Sequence, residues 1–259
     1  MQVLLHDLEA MGTVFRFTFA KADQPQVLAQ LAAAIEIIRE ADQAFSTYKK
    51  ESEVSRINRG EINLAEASDD VRLISDVCRI WELRTEGGFA STDRLGNWDP
   101  SGIVKAWAAQ SAVRYLEAHG LTNFSLNAGG DILLGSGAQP ELQRVGVAKP
   151  RPIASIGFQA EQILDLSESS YAAVATSGSA ERGNHIWGQA KGILQVSVIG
   201  SDLISADVWA TALYAKGVAL FPELEEQGLQ ASITFEDGSK ITSSGYSRLL
   251  VQDSLKIGA

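Results

Sequence analysis

Cysteine and positive charge are both scarce in this sequence, and each shortage excludes something. Cys78 stands alone among 259 residues, so neither an intramolecular disulfide nor a thiolate metal cluster can form. Its neighbours from Val71 to Trp81 follow a helical period, which reads as a small buried apolar side chain. Lys and Arg number 22 against 32 Asp and Glu, a formal charge of −10. That balance argues against a nucleic-acid partner held by phosphate neutralisation along a basic stripe. No run approaches the roughly 18 apolar residues of a membrane span. The opening Met1-Gln-Val-Leu-Leu-His-Asp-Leu8 also lacks the basic-then-apolar pattern of an export leader. The expectation is a soluble chain, cytoplasmic as given, or extracytoplasmic if a leader was trimmed. Two catalytic patterns are missing as well, G-x-G-x-x-G and G-x-S-x-G, and Ser101 and Lys105 stand one residue too far apart for S-x-x-K.

What is present is a chain with 45% hydrophobic residues, long enough to bury a core without staples. Thr13-Val-Phe-Arg-Phe-Thr-Phe19 alternates as a half-buried strand, and His6 belongs to another. Pro25 opens a helix with Leu28, Leu31, Ile35 and Ile38 on one face. A second helix runs from Asp69 to Arg84 and stops at Gly87-Gly88. A third follows Asp99-Pro-Ser-Gly102 and carries Ile103, Trp107, Ala108 and Leu116 towards His119 and Gly120. Short apolar runs split by Gly and Pro then read as strands as far as Gly200. One more helix is expected over Ser205 to Ala215, and Ala231–Phe235 with Lys240-Ile-Thr forms a hairpin. No repeat or linker interrupts the chain, so the pattern predicts one α+β domain over 1–259.

Five places could carry chemistry, and each also has a plain structural reading. Asp207 and Thr211 lie one helical turn apart and offer hard oxygens of the kind magnesium takes; a helix start with a packed threonine looks the same. Asn127-Ala-Gly-Gly-Asp131 allows close backbone approach to a ligand, or is a tight turn braced by Asn and Asp. Asp99-Pro-Ser-Gly-Ile-Val-Lys105 could bind an anion at a helix mouth, or be a cap followed by a surface lysine. His185, in the polar loop Thr176 to Ile186, could transfer protons or be idle. Tyr48 and Trp98 could stack on a planar ligand or simply pack.

Read in order, Met11-Gly-Thr13, Phe45-Ser-Thr-Tyr48, Ser52-Glu-Val-Ser-Arg-Ile-Asn58, Asp99 to Lys105, Asn127 to Ile132, Val145-Gly-Val147, Ala175-Thr-Ser-Gly178, His185-Ile186 and Ala206-Asp-Val-Trp-Ala-Thr-Ala212 resemble the ApbE-like FAD:protein FMN transferase family. The resemblance implies an α+β flavin-transferase fold with mixed or antiparallel sheets and flanking helices. It implies a magnesium-dependent reaction in which FAD is split at its pyrophosphate, FMN passes to a threonine of a partner flavoprotein, and AMP leaves. It further implies that Asp207, Thr211 and the carbonyl of Gly102 hold Mg2+, and that Asp99 and Lys105 contact FAD. Met11, Tyr48 and the Gly88-Phe89-Ala90 turn would line the pocket, with His185 the residue nearest to a general base. Two departures stand out. Ala90 replaces an acid usual in the family, and Trp187-Gly-Gln-Ala-Lys-Gly192 replaces its Asp-Pro-x-Thr-Gly run. Hydrolysis of FAD to FMN and AMP, and flavin binding without transfer, are the alternative activities.

Overall fold

The computed structural model describes residues 3–20, 24–150, 160–178 and 190–251. Strands β1 (Val3–Ala10) and β2 (Thr13–Ala20) open the chain as a hairpin with eight paired positions. Four helices follow: α1 (Gln24–Phe45), α2 (Glu53–Asn58), α3 (Asp69–Arg84) and α4 (Ser101–Ala118). Then come β3 (Phe124–Ala128), β4 (Asp131–Leu134), β5 (Arg144–Ala148), β6 (Ala160–Asp165), β7 (Ala173–Gly178) and β8 (Ile193–Gly200). Helices α5 (Leu203–Lys216) and α6 (Phe221–Glu226), strands β9 (Gln230–Phe235) and β10 (Lys240–Thr242), and helix α7 (Ser244–Leu249) complete the described chain.

Eight strands form one antiparallel sheet in the order β1-β2-β3-β4-β7-β8-β9-β10, and β5 pairs with β6 separately. The pleat sorts the central strands' side chains to two cores. Ala173, Ala175, Val196 and Val198 face the helical layer with α1, α4 and α5, while the cross-strand pair Val174 and Ile199 faces a smaller cluster with Val145, Val147, Leu164 and Tyr246. Covered on both sides, β8 is buried along nearly its whole length, polar Gln195 and Ser197 included.

Helix α5 is buried nearly all round, which explains its apolar sequence and makes Asp207 conspicuous within it. The helical stretch Leu203–Glu226 is long and apolar enough by composition to cross a membrane, but 67% of its most apolar window is buried against the rest of the protein, so it is a core helix here. Cys78 is buried, and that burial pushes its thiol up to about 12, so the side chain acts as a small apolar group. One expectation needs correction: Leu28 is 51% exposed. The inner stripe of α1 is Val27, Leu31, Ala34, Ile38, Ala41 and Phe45, spaced by fours and threes, and Leu28 lies one residue, about 100°, off it.

Candidate functional site

Two hairpin turns lie side by side at one end of the sheet. Met11 and Gly12 join β1 to β2 with φ of 52° and 68°, and Gly129 and Gly130 join β3 to β4 with φ of 65° and 102°. Pairing of Phe15 with Ala128 brings these turns together, and Gly129 N–H donates to Val14 O at 3.0 Å. Gly129 meets two requirements at once. Its φ is positive, and a Cβ there would run into Thr13 Oγ1 and come within 3.1 Å of Thr13 Cβ. Asn127 Oδ1 accepts from Gly130 N–H at 2.8 Å and braces the turn. Met11 has no such excuse for its backbone, since a left-handed conformation costs a non-glycine residue about 1 kcal/mol or more.

The β1–β2 turn forms one wall of a cleft of about 630 Å³. Phe45 to Lys49 form another wall, and Ser101, Val104 and Lys105 bring in the first turns of α4. Tyr48 stands at the rim, 98% exposed. The loop that carries it is held from beneath: buried Ser52 donates to Ser46 O at 2.6 Å and accepts from Ser55 N–H at 3.0 Å, capping α2. At the far end of α2, the Asn58 amide donates to Trp98 O at 2.8 Å and accepts from Trp98 N–H at 2.9 Å. This two-way clamp fixes the approach to α4, where Asp99 Oδ1 accepts from Ser101 N–H at 3.1 Å. Asp99 thus serves the helix start, and α4 presents its N-terminal turn to the cleft.

Behind Lys105 the structure gathers three charged groups. Lys105 Nζ pairs with Asp131 Oδ2 and lies 3.8 Å from Asp207 Oδ2. Asp131 is 1% exposed and its other oxygen accepts from Thr176 N–H at 3.0 Å, so the start of β4, the end of β7 and α4 meet on one carboxylate. One turn beyond Asp207, Thr211 Oγ1 lies 3.3 Å from Ser177 Oγ. The turn 88–89 ties α5 to α4. A Cβ on Gly88 would sit 3.0 Å from Ala212 Cβ, and one on Gly102 would sit 2.9 Å from the Phe89 ring.

Met11, Tyr48 and Lys105 therefore share one cleft. Gly88, Phe89, Ala90 and Asp99 do not line it among the described residues, nor do Gly102, Asp207 and Thr211: Phe89 is buried beneath Gly102, and Ala90 is exposed. His185 and residues 187–189 of the divergent loop lie outside the described residues. Asp131 is the participant that sequence reasoning left as a turn brace. Its place in Asn127-Ala-Gly-Gly-Asp131 was visible, but its pairing with a lysine 26 positions away was not.

Magnesium takes hard oxygens of the kind that Asp207, Thr211 and Gly102 carry. The described residues include no cluster of three or more His, Cys, Asp or Glu able to hold a metal. Asp207 supplies a carboxylate, Thr211 a hydroxyl and Gly102 a carbonyl, all hard donors. Two buried carboxylates face the Lys105 ammonium at this point.

The Lys105–Asp131 pair makes a stability prediction. Asp131→Asn keeps an acceptor for Thr176 but removes the charge opposite Lys105, and is expected to cost about 1–3 kcal/mol. Combined with Lys105→Met it should cost less than the two single changes summed. Urea unfolding of all three variants checks this; additive losses would show that the pair is not coupled.

Comparison with known proteins follows from this geometry. The model of the ApbE family matches residues 11–95 and 91–233. Among solved structures, the flavin transferase ApbE from Vibrio cholerae is 20% identical with a TM-score of 0.75, covering 96% of this chain and 99% of its own. The ApbE protein from Thermotoga maritima is 21% identical with a TM-score of 0.77, covering 97% and 100%. The flavinyl transferase ApbE from Pseudomonas stutzeri, in its apo form, is 19% identical with a TM-score of 0.74, covering 96% of both chains. At such identities the likeness is one of fold, a mixed α+β architecture with an antiparallel sheet. No curated protein matches the sequence.

Proposed function

This chain belongs to the ApbE family, and on that premise we propose that it is a magnesium-dependent FAD:protein FMN transferase. It would move FMN from FAD to a threonine of a partner flavoprotein and release AMP. The observation that carries this reading is that Lys105, which lines a cleft of about 630 Å³, stands against Asp131 and Asp207, with Thr211 one helical turn beyond Asp207. That is a volume typical of small-molecule sites.

In the proposed reaction the threonine oxygen attacks the phosphorus on the FMN side of the pyrophosphate. A new O–P bond forms as the P–O bond to the bridging oxygen breaks, and AMP departs with that oxygen. Asp207, Thr211 and the carbonyl of Gly102 would hold Mg2+, which when bound neutralises pyrophosphate charge. Lys105 adds a full positive charge beside it, kept in place by Asp131. The N-terminal turn of α4 offers backbone N–H groups to the phosphates. Tyr48, exposed at the rim, offers a ring for stacking on the flavin. His185 takes the threonine proton as attack develops, a contribution of about 10²–10⁴ in rate. Phosphoryl transfer depends chiefly on such positioning and charge neutralisation, which is what these residues supply.

Incubation with FAD, Mg2+ and a purified acceptor flavoprotein domain is expected to give a covalent FMN adduct on threonine and one AMP per adduct, read by mass spectrometry and nucleotide chromatography. FMN and AMP appearing without an acceptor would make the enzyme a hydrolase instead. Bound FAD with no AMP under any condition would overturn an enzymatic reading.

A further inference from the structure

Strand β1 is the outermost strand of the eight-stranded sheet. Across the two-residue turn, Ala10 pairs with Thr13, so Ala10, Leu8, His6 and Leu4 exchange backbone bonds with β2. Val3, Leu5, Asp7 and Glu9 consequently turn their N–H and C=O groups away from the sheet. Among the described residues no backbone bond from another segment reaches them. Charge on this edge strand comes only from Asp7 and Glu9 besides His6, and Asp7 is paired with Arg16 of β2. The eight pairs of the edge run without a bulge, and β1 contains no proline, glycine or lysine of the kind that usually blunts an edge. Two apolar side chains, Val3 and Leu5, are 40% and 59% exposed along it. The edge leads straight into the site, because Glu9, Ala10 and Met11 line the cleft.

We propose that the acceptor flavoprotein docks by adding an extended segment to the outer edge of β1, which places its target threonine beside the Met11–Gly12 turn and inside the cleft. The proposal rests on the transferase reading above and names how that reading's partner is held. Main-chain bonds from Leu5, Asp7 and Glu9 supply affinity with little regard to sequence, and side chains on alternate positions supply selectivity. Residues on an added strand rise by about 3.4 Å each, so a segment crossing Glu9 to Leu5 meets the apolar edge about four residues from the threonine. The acceptors that fit are therefore those whose threonine lies in a strand-forming segment with an apolar residue at roughly that distance.

The test uses the FAD-loaded chain and an apo acceptor domain whose target threonine is changed to valine, so that the complex does not turn over. Amide exchange of Leu5, Asp7 and Glu9 is expected to slow when this domain binds. Leu5→Pro removes one outward N–H while leaving the bonds to β2 intact, and is expected to weaken acceptor binding about tenfold with FAD affinity within about twofold of the parent. Leu5→Lys tests the same edge without a proline. Unchanged acceptor affinity in both variants, or protection confined to another surface, overturns the docking mode. If the acceptor binds at β1 but the native threonine never becomes flavinylated, the transferase reading fails and the docking stands. If flavinylation proceeds with the same KM for acceptor in both variants, the reading stands and the docking fails.

Discussion

Asp207→Ala is expected to lower magnesium-dependent FMN transfer by about 10² or more while leaving the protein folded. Both halves of this expectation come from the setting of Asp207. Its carboxylate is 6% exposed on a helix whose neighbours are Ala206, Val208, Trp209 and Ala210, all buried and apolar. Alanine fits that helix by propensity and by size. Removal of the carboxylate leaves Lys105 still paired with Asp131, so that ammonium is not left alone in the interior. The loss therefore falls on the chemistry. Without Asp207 the proposed magnesium site keeps one hydroxyl and one carbonyl, neither of them charged, and an overall charge of −10 no longer has a local counterweight for an anionic dinucleotide. Thr211→Val should be milder, about tenfold, since it removes a neutral ligand of similar shape. Transfer rates across a magnesium titration check both variants. Full activity of Asp207→Ala at limiting magnesium would remove Asp207 from the site.

Gly129→Ala is expected to destabilise the protein by about 2–4 kcal/mol, because it combines a disfavoured left-handed backbone angle with a steric collision. The alanine Cβ would strike Thr13 Oγ1, and Thr13 sits in the cleft wall at the start of β2. Relief would require the two hairpin turns to part, which would break the Gly129 N–H bond to Val14 O and spread the register at Phe15 and Ala128. Thermal unfolding should show a midpoint lower by roughly 5–15 °C. The contrast is Gly12→Ala, whose Cβ would meet nothing within 4 Å and which carries only the cost of its φ of 68°. Equal losses at both positions would mean that the Thr13 contact contributes nothing.

The two outcomes also mark what can be read from the residues alone. The helix over Asp69–Arg84 and the strand beginning at Thr13 follow from periodicity and keep their expected bounds, because each packs one regular face. Asp207 and Thr211 are a turn apart by arithmetic on a helix. Thr13 and Gly129, by contrast, belong to different hairpins, and nothing local to either announces their contact. The same holds for Lys105 and Asp131. A lysine four residues after a candidate cap looks like a surface charge until β4 is placed beside α4. Leu28 shows the opposite failure, where an apolar residue near the right period faces outward because its neighbour Val27 has the better angle. The outermost place of β1 was not legible either, since only the sheet order reveals which strand is last.

That sheet order has a temporal side. Strands β2 and β3 lie next to each other, yet roughly a hundred residues and the four helices α1 to α4 separate Phe15 from Ala128 in the chain. Every other seam from β1 to β4 is a hairpin closed by two residues, whereas this one requires a long loop to shut, at an entropic cost of about (3/2)RT ln n, on the order of 4 kcal/mol. The two turns that frame the cleft are therefore made early as separate pieces and meet late, once the helices have condensed between them. Assembly of the site is a closing step of folding rather than a nucleus for it.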